Sequence, residues 1–413
     1  YSLIFFLCEK MQQKWYEPTG RNRLLNELSN ELLARVFSEL STRELCIARL
    51  VCQRWNALVP LAWHLKQHLA LDEETLLLLA QNGQQQTANH SAFQQYTSAL
   101  KSVDGSKLTR LRISVSSNTR QLLTVYELSK LLEEVVQRCP RLAELGLTDS
   151  TTHPLEIFPN NSFVRLVQHC SAHLVSVELA NCAGLVDSSV ETLLGECTRL
   201  VSLSLINCPL LIGVCFLSES ASAGCHRLVR LTLDACLSLK EANLARLFER
   251  CSNSLRHLSL CGGGVGTPTF SHAINSLTEL NTLRMADNNL SSVVSPPLQL
   301  HMLLTKLDLS FTVGNDRLFG AILNSCTSLK CLLVDYCRNL SDKMFDVEIK
   351  APLEQLSLTR LSRITDATLE KLAAVRGQAR RTMRRLTVSK CVGLTARGIA
   401  HAIESLPALE WYD

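Results

Sequence analysis

The sequence predicts an α/β protein in which a small all-α unit precedes a curved solenoid of parallel strands and helices. The pattern L-x-x-L-x-L recurs between Leu142 and Leu409, and the middle positions of successive copies lie 24 to 32 residues apart. Ahead of this array, residues 28–71 carry apolar side chains at helical spacing. A fixed period of roughly 20–29 residues is typical of stacked repeats, with strands on the concave face and helices on the convex face.

Each copy of the pattern predicts one strand of a leucine-rich repeat. Its last two apolar positions alternate along the strand, so both side chains point into the core. No single repeat can bury its leucines alone, whereas stacked neighbours can. A weak first copy is followed by ten fuller ones: Leu108/Leu111/Ile113, Leu142/Leu145/Leu147, Leu174/Val177/Leu179, Leu200/Leu203/Leu205, Leu228/Leu231/Leu233, Leu255/Leu258/Leu260, Leu280/Leu283/Met285, Leu304/Leu307/Leu309, Leu329/Leu332/Val334, Leu353/Leu356/Leu358 and Met383/Leu386/Val388.

The helical half of each repeat carries apolar residues three and four positions apart, as in residues 188–197, 243–251 and 316–326. Asp187, Asp342 and Asp366 stand just ahead of such stretches. A carboxylate there can accept from the free backbone N–H groups of the first turn. We therefore expect these aspartates to cap their own helices.

The cysteines follow the period of the repeats. Of 17 cysteines, six end a helical stretch and five follow a strand. A thiol is a small, mostly buried group with a weak hydrogen-bond donor, which suits a tight interior turn. The chain has no C-x-x-C and no Cys/His cluster at zinc spacing, so we expect structural thiols, no metal and no cofactor. So many thiols favour a reducing compartment, the cytoplasm or the nucleus.

Residues 326–342 (CTSLKCLLVDYCRNLSD) resemble the cysteine-containing subtype of leucine-rich repeat almost throughout. That subtype reads C-x-x-L-x-x-L-x-L-x-x-C-x-x-[IL]-[ST]-D, and residues 170–187 fit it with a one-residue insertion. The resemblance supports the same fold as the period does.

The amino-terminal segment, residues 28–71, predicts two amphipathic helices. Apolar residues from Leu32 to Leu40 mark one face, and those from Leu45 to Trp55 mark a second. Ser41 or Thr42 is placed to cap the second helix. So short a unit cannot hide all its large apolar side chains, which suggests a docking face for another chain.

This segment resembles the F-box. The family pattern is L-P-x-E-[LI]-L-x-x-[IV]-F-x-x-L, then L, V-C-[KR]-x-W and L-W. Its elements occur here in the same order, and the last two read V-C-Q-R-W at residues 51–55 and A-W at residues 62–63; the departure that counts is Ser29 in place of the proline. The resemblance implies that ten residues form or support the face that binds a Skp-type adaptor. They are Leu28, Leu32, Val36, Phe37, Leu40, Leu45, Val51, Cys52, Trp55 and Trp63.

The resemblance to F-box and leucine-rich-repeat proteins implies a function. Such chains are substrate receptors of SCF ubiquitin ligases, in which the adaptor joins a cullin scaffold carrying a RING subunit. We therefore expect a non-catalytic receptor whose repeats bind a protein substrate for ubiquitination and proteasomal degradation. The alternative is a protein-interaction scaffold whose F-box, with Ser29, no longer recruits a ligase. A catalytic thiol ligase is disfavoured, because no cysteine is followed by x-D.

The substrate would lie on the concave face, where residues beside the core leucines point outward. Our candidates are Arg230, His257, Arg284, Lys306, Asp308, Asp335 and Arg385. From residue 371 to residue 403 the chain carries eight basic residues and no acid. These could bind an acidic or phosphorylated substrate segment, or they could form a solvated loop.

The predicted organisation has four parts. Residues 1–23 form an extension that we expect to be disordered, residues 24–71 the F-box, residues 72–107 a helix and a polar, glutamine-rich linker, and residues 108–413 about 11–12 repeats. No apolar run reaches the ~18–20 residues needed to cross a bilayer, so no membrane partner is expected. The net charge of +4 gives no indication of nucleic-acid binding.

Overall fold

The computed structural model describes residues 28–49, 51–72, 92–115, 123–149, 158–291, 303–374 and 378–412. The chain divides into two compact units, residues 1–152 and 153–413. The predicted extension at 1–23 lies outside the described residues. The predicted fold class is confirmed: a small helical unit precedes a leucine-rich-repeat solenoid of parallel strands and helices.

The first unit begins with three helices and continues into a short parallel sheet. Its helices are α1 (Asn30–Ser38), α2 (Thr42–Arg49), α3 (Gln53–Leu65), α4 (Ala92–Lys101) and α5 (Val125–Arg138). A 3-10 turn covers Gly105–Lys107. The strands β1 (His68–Leu71), β2 (Arg110–Val115) and β3 (Glu144–Asp149) pair in parallel in chain order.

One expectation for this unit needs correction. The segment 24–71 is not all helical, because residues 68–71 form β1, with Leu69 and Leu71 buried and Ala70 exposed. Four residues are too few for helical and strand spacing to differ clearly. The span 72–107, predicted as a helix and a polar linker, contains the helix α4, whose Tyr96 is buried and donates its hydroxyl to Ser114 O at 2.8 Å.

The second unit is a stack of repeats in which most of the described strands are followed by a helix or a short 3-10 turn. Its strands are β4 (Ser176–Ala180), β5 (Ser202–Ile206), β6 (Arg230–Thr232), β7 (His257–Ser259), β8 (Thr282–Arg284), β9 (Lys306–Asp308), β10 (Cys331–Leu333), β11 (Gln355–Ser357), β12 (Arg385–Thr387) and β13 (Trp411–Tyr412). Each pairs in parallel with the next, and the predicted middle apolar positions are in register from Val177↔Leu203 to Leu356↔Leu386.

Helices pack behind these strands and bury the apolar residues that the spacing predicted. They are α6 (Asn160–Cys170), α7 (Asp187–Glu196), α8 (Glu219–Cys225), α9 (Glu241–Cys251), α10 (Thr267–Ser276), α11 (Asp316–Ser325), α12 (Asp366–Ala374), α13 (Gln378–Thr382) and α14 (Ala396–Ser405). Two 3-10 turns, Val214–Phe216 and Asp342–Phe345, stand at helix positions. The predicted strand leucines of this unit are almost completely buried.

The aspartates expected to cap their own helices instead join one repeat to the next. Asp187 accepts from Ile212 N, Gly213 N and Cys215 N at 2.9–3.1 Å. Asp342 accepts from Thr365 N at 2.8 Å. Asp366 accepts from Thr395 N at 2.8 Å. The sequence did not reveal these bonds, because each bonded residue lies more than 20 positions away along the chain, although it is only one repeat away in the stack.

The thiols that follow the strands also bond between repeats, as the expected interior turn requires. Cys236 Sγ donates to Leu205 O at 3.4 Å, and Cys391 Sγ donates to Leu358 O at 3.0 Å. Cys337 Sγ lies 3.1 Å from Leu309 O. Each thiol therefore meets a backbone oxygen of a preceding repeat inside the core.

Candidate functional site

The helical unit that resembles the F-box is built on three capped helices. Ser29 Oγ accepts the N–H of the residue three positions later at 3.3 Å and so begins α1. Ser41 begins α2 through reciprocal bonds with Glu44, at 2.8 Å and 3.2 Å. Cys52 Sγ accepts from a backbone N–H at 3.5 Å and begins α3. The serine in place of the family's proline therefore supplies a cap of its own.

The ten residues that we predicted for the adaptor face fall into three groups. Phe37, Leu45, Trp55 and Trp63 are buried in the unit's own core. Leu28, Leu40 and Val51 are half-buried, and Leu32, Val36 and Cys52 are exposed. The exposed group offers the most surface to a partner as the unit stands, while the buried group holds the helices in place.

The exposed apolar face lies on α1. Leu32 is 50% exposed and Val36 is 46% exposed, and residues four apart share one face of a helix. Beneath them, Phe37 meets Trp55 edge to face, with ring centroids 4.9 Å apart. Packing of this kind fixes the α1 backbone while leaving the outer side chains free for a partner.

Polar contacts fasten α3 to the start of α1. Arg54 Nε donates to Asn30 Oδ1 at 3.0 Å, and Arg54 Nη2 donates to Leu28 O at 2.5 Å. Because these bonds join residues 24 and 26 positions apart, they fix the chain just ahead of the apolar face. Arg54 is thus a positioning residue within the V-C-x-R-W motif.

Sequence reasoning missed Lys66, which ends the helical unit. The lysine is buried, its Nζ donates to Leu40 O at 2.5 Å, and it lies 5.5 Å from the centroid of Trp63. Burial lowers the pKa of Lys66, while the charges of Glu39 and Glu44 act in the opposite direction. A lysine after a helix is ordinarily exposed, so nothing in the sequence marked it.

Six of the seven predicted substrate residues lie on the strands of the second unit in two rows, and Asp335 follows β10. The first row includes Arg230, His257, Lys306 and Arg385, all exposed, and pairs Arg230 with His257 on adjacent strands. The second row includes Arg284 and Asp308, which form an ion pair at 3.4 Å. The sheet thus brings these side chains to one face but does not gather them into one cluster.

Two of the predicted residues are held in structural contacts. Asp335 Oδ1 accepts from Ser357 Oγ at 2.6 Å and from Thr359 N at 2.7 Å, both in the next repeat. Asp308 is buried, and its Oδ1 accepts from Ser310 N at 3.1 Å. These carboxylates shape the turns after the strands and offer little to a ligand.

His257 sits among cations. Burial lowers the pKa of this imidazole first, and the charges of Arg230 and Arg256 lower it further. The histidine is therefore neutral at physiological pH.

The basic stretch near the carboxyl end combines a short helix with exposed side chains. Residues 378–382 form α13 inside the span that we expected to be a loop. Arg384 pairs with Glu410 at 3.6 Å, and Arg380 Nε donates to Ser405 O at 3.0 Å. Arg385 points outward from β12. Part of the charge is thus used within the fold.

No metal-binding group of three His, Cys, Asp or Glu residues occurs in the described parts of the chain. None of the helices traced within those parts is long and apolar enough to span a membrane.

Comparison with known proteins agrees with this architecture. The F-box-like family profile matches residues 26–65, the span of the three capped helices. A chain in the crystal structure of the yeast Rad7 and Elc1 complex is similar over 96% of each chain, at 16% identity and a TM-score of 0.50. A chain in the TLR13–ssRNA13 complex has 15% identity and a TM-score of 0.35, covering 70% of this chain and 37% of that one. The first likeness supports the fold.

Proposed function

We propose that this chain, whose residues 26–65 match the F-box-like profile ahead of a leucine-rich-repeat fold, is a substrate-recognition subunit of an SCF-type cullin-RING ubiquitin ligase. The F-box-like unit would dock a Skp-type adaptor, and through it the cullin and the RING subunit. The repeats would bind a protein substrate for ubiquitination and proteasomal degradation. The chain itself would be non-catalytic.

The apolar face of α1 carries this proposal. Leu32 and Val36 remain about half exposed on a helix whose other side is anchored by Phe37 and Trp55. A rigid helix with an uncovered apolar stripe is the form in which one protein presents a docking surface to another. The similar yeast protein was crystallised in a complex of Rad7 with Elc1, which supports an adaptor partner for this chain.

The test measures binding of the purified chain to a Skp-type adaptor. Fully burying a leucine or valine contributes about 1.5–3 kcal/mol, so burying the exposed half of each contributes about 1 kcal/mol. The double variant Leu32→Ala/Val36→Ala should therefore lose about 2 kcal/mol, or roughly 30-fold in Kd. Both side chains are exposed, so the variant should melt like the wild type.

Two further variants complete the design. Val392→Ala removes an exposed apolar side chain from the other unit and should leave adaptor affinity unchanged. Ser29→Pro restores the proline of the family pattern and replaces the serine cap. Adaptor binding by Ser29→Pro but not by the wild type would show that the natural F-box is disabled. If neither the wild type nor Ser29→Pro binds the adaptor although both are folded, our proposal fails and the protein-interaction scaffold is the better interpretation.

The proposal places the protein in the cytoplasm or the nucleus. The buried thiols of Cys236, Cys337 and Cys391 act as hydrogen-bond donors in their reduced form. A reducing compartment preserves that form. Fractionation of cells expressing a tagged chain would test the placement, and recovery with secreted proteins would refute it.

A further inference from the structure

One residue in each repeat of the second unit, just after the strand, adopts a left-handed backbone conformation. This turn row has φ between 50° and 62°, and its members are Asn181, Asn207, Ala235, Gly262, Asp287, Phe311, Tyr336, Arg360 and Lys390. Glycine, asparagine and aspartate tolerate that conformation best. Most of the early members are residues of this kind, but the last four are not.

The backbone explains why every repeat uses the conformation. The N–H of the eight turn-row residues from Asn181 to Arg360 donates to a carbonyl of the next repeat, as for Tyr336 N to Thr359 O at 2.8 Å and Arg360 N to Ser389 O at 2.9 Å. Asn207 N reaches Asp234 O at 2.8 Å in the same manner. The bond requires only the backbone, so any tolerant residue would satisfy it.

The last four members put large side chains on strained backbone. A bulky residue at positive φ is an outlier, and such outliers concentrate at functional sites. Phe311 is 52% exposed and stacks on Tyr336, with ring centroids 4.3 Å apart and an interplanar angle of 17°. The guanidinium of Arg360 lies 5.0 Å from the Tyr336 ring centroid. Lys390 follows in the next repeat.

We propose that Phe311, Tyr336, Arg360 and Lys390, the aromatic–cation strip, bind an acidic segment of a protein partner that carries an apolar side chain beside its carboxylates. The inference deepens the proposed function by giving the chemistry of the substrate segment. It depends on the proposed function only in identifying the bound segment as part of a substrate, because the strip itself is defined without reference to the adaptor.

The charges along the strip favour an acidic ligand. Arg338 and Arg363, two positions after Tyr336 and three after Arg360, are exposed, and no ion pair joins them, Arg360 or Lys390 to a carboxylate of the described residues. The carboxylate of Asp335, the residue preceding Tyr336, already accepts from Ser357 and Thr359. The strip therefore presents unneutralised cations, which favour an acidic ligand.

The geometry of the stack favours a peptide over nucleic-acid bases. Phe311 covers one face of Tyr336 and Arg360 covers the other, so no base can stack on the tyrosine. The outward ring edges suit an aliphatic or aromatic side chain. A guanidinium placed over a ring still offers N–H donors for a bidentate carboxylate. Asp287 bounds the opposite end and disfavours carboxylates there.

The structure supplies its own conservative substitution. Phe311→Asn/Tyr336→Asn installs the residue that the same turn row uses at positions 181 and 207. Asparagine relieves the backbone strain, so the melting temperature of this double variant should equal or exceed that of the wild type. A clear fall in melting temperature would show that the stack stabilises the fold, and would overturn a binding role.

Binding is tested with a random peptide library displayed on phage. Peptides selected on the full chain and counter-selected on Phe311→Asn/Tyr336→Asn/Arg360→Asn should be enriched in Asp or Glu beside an apolar residue. Synthetic copies should bind the triple variant at least tenfold more weakly. They should bind Asp287→Asn as well as the wild type or better, because that change removes the acid that bounds the strip.

Three results would overturn the proposal: no enrichment over the triple variant, enrichment of neutral or basic peptides, or a labelled oligothymidine that binds the wild type and not the triple variant. Adaptor binding is measured on the same variants and should be unchanged. Loss of peptide binding with intact adaptor capture, or the reverse, separates a failure of the strip from a failure of the proposed function.

Discussion

Arg250 is predicted to be the polar residue whose loss most damages the second unit. It lies in α9 with a side chain only 7% exposed, and its guanidinium donates to backbone carbonyls of the preceding repeat. The acceptors are Phe216 O at 2.8 Å, Leu217 O at 3.0 Å and Ser218 O. These carbonyls belong to the stretch from the 3-10 turn Val214–Phe216 to the start of α8.

The size of the effect follows from what Arg250→Met would leave behind. Methionine keeps much of the apolar stem but removes every donor, and a buried acceptor without a partner costs about 1–3 kcal/mol. Phe216 is buried, whereas Leu217 is exposed and Ser218 half-buried, so water can reach the latter two carbonyls. We expect a loss of about 3 kcal/mol, most of it from the Phe216 carbonyl and the displaced turn.

Two companion variants divide the effect. Glu219 also accepts from Arg250, at 2.9 Å, but its side chain is 89% exposed, so Glu219→Gln should change stability by less than about 1 kcal/mol. Arg250→Lys keeps the charge but loses the fork of donors and should fall between the two. Urea unfolding gives the free energies, and hydrogen exchange of peptides covering residues 211–226 locates the loss.

The experiment compares the stability losses of the three variants. If Arg250→Met and Glu219→Gln agree within about 0.5 kcal/mol, the carbonyl contacts do not stabilise the turn and our reasoning is refuted. Fast exchange spread evenly over all repeats, instead of residues 211–226, would contradict the local origin of the effect.

Three further predictions concern the acidity of a buried thiol, the reactivity of an exposed thiol, and the carboxylate of Asp342, which joins two repeats. Burial raises the pKa of Cys326 to about 12 from 9.0, so above pH 9 the unfolded state loses this proton first, and this one thiol contributes a fall in stability of about 1.4 kcal/mol per pH unit. Cys326→Ala should make the slope of stability against pH shallower by about that amount in urea melts between pH 9.5 and 10.5, and an unchanged slope would contradict the raised pKa. Iodoacetamide mapped by mass spectrometry should modify Cys52, which is exposed, well before buried Cys139; equal rates would contradict the burial. Burial raises the pKa of Asp342, but hydrogen bonds from Thr368 and Thr365 outweigh it and leave that pKa lowered, so its stabilisation is present above the ordinary pKa of 3.8 and lost as pH falls through the lower folded value. Asp342→Asn should cost about 1–2 kcal/mol at pH 7 and flatten the acid limb of the stability curve, and an unchanged acid limb would refute the assignment.

Much of the repeat fold could be predicted from the sequence because its apolar residues recur at a regular period. Val177, Leu203 and Leu231 repeat at nearly constant spacing, and the structure places them in register on β4, β5 and β6. Burial of a side chain on every strand requires that recurrence, so the pattern and the fold express one physical constraint. The V-C-x-R-W motif identified the helical unit by a short local pattern of residue types instead of a period.

The residues of the proposed adaptor-binding face were harder to predict from the sequence. Phe37 and Trp55 matched the family pattern as well as Leu32 and Val36 did, yet only the latter two are exposed. All four are large and apolar, and a pattern of residue types does not distinguish a side chain that faces the core from one that faces a partner. Packing of α1 against α3 made that choice.

The sequence by itself determined the order of the two modules, the strand leucines and the family of the helical unit, because each depends on residues close together along the chain. Only the tertiary structure decided that Asp342 joins its repeat to Thr365, that Lys66 is buried against Leu40, and that Phe311 stacks on Tyr336. These contacts join residues 23 to 26 positions apart. Stacking of the repeats, and packing of the helices in the first unit, bring such residues together, and neither local spacing nor residue type encodes which atoms then meet.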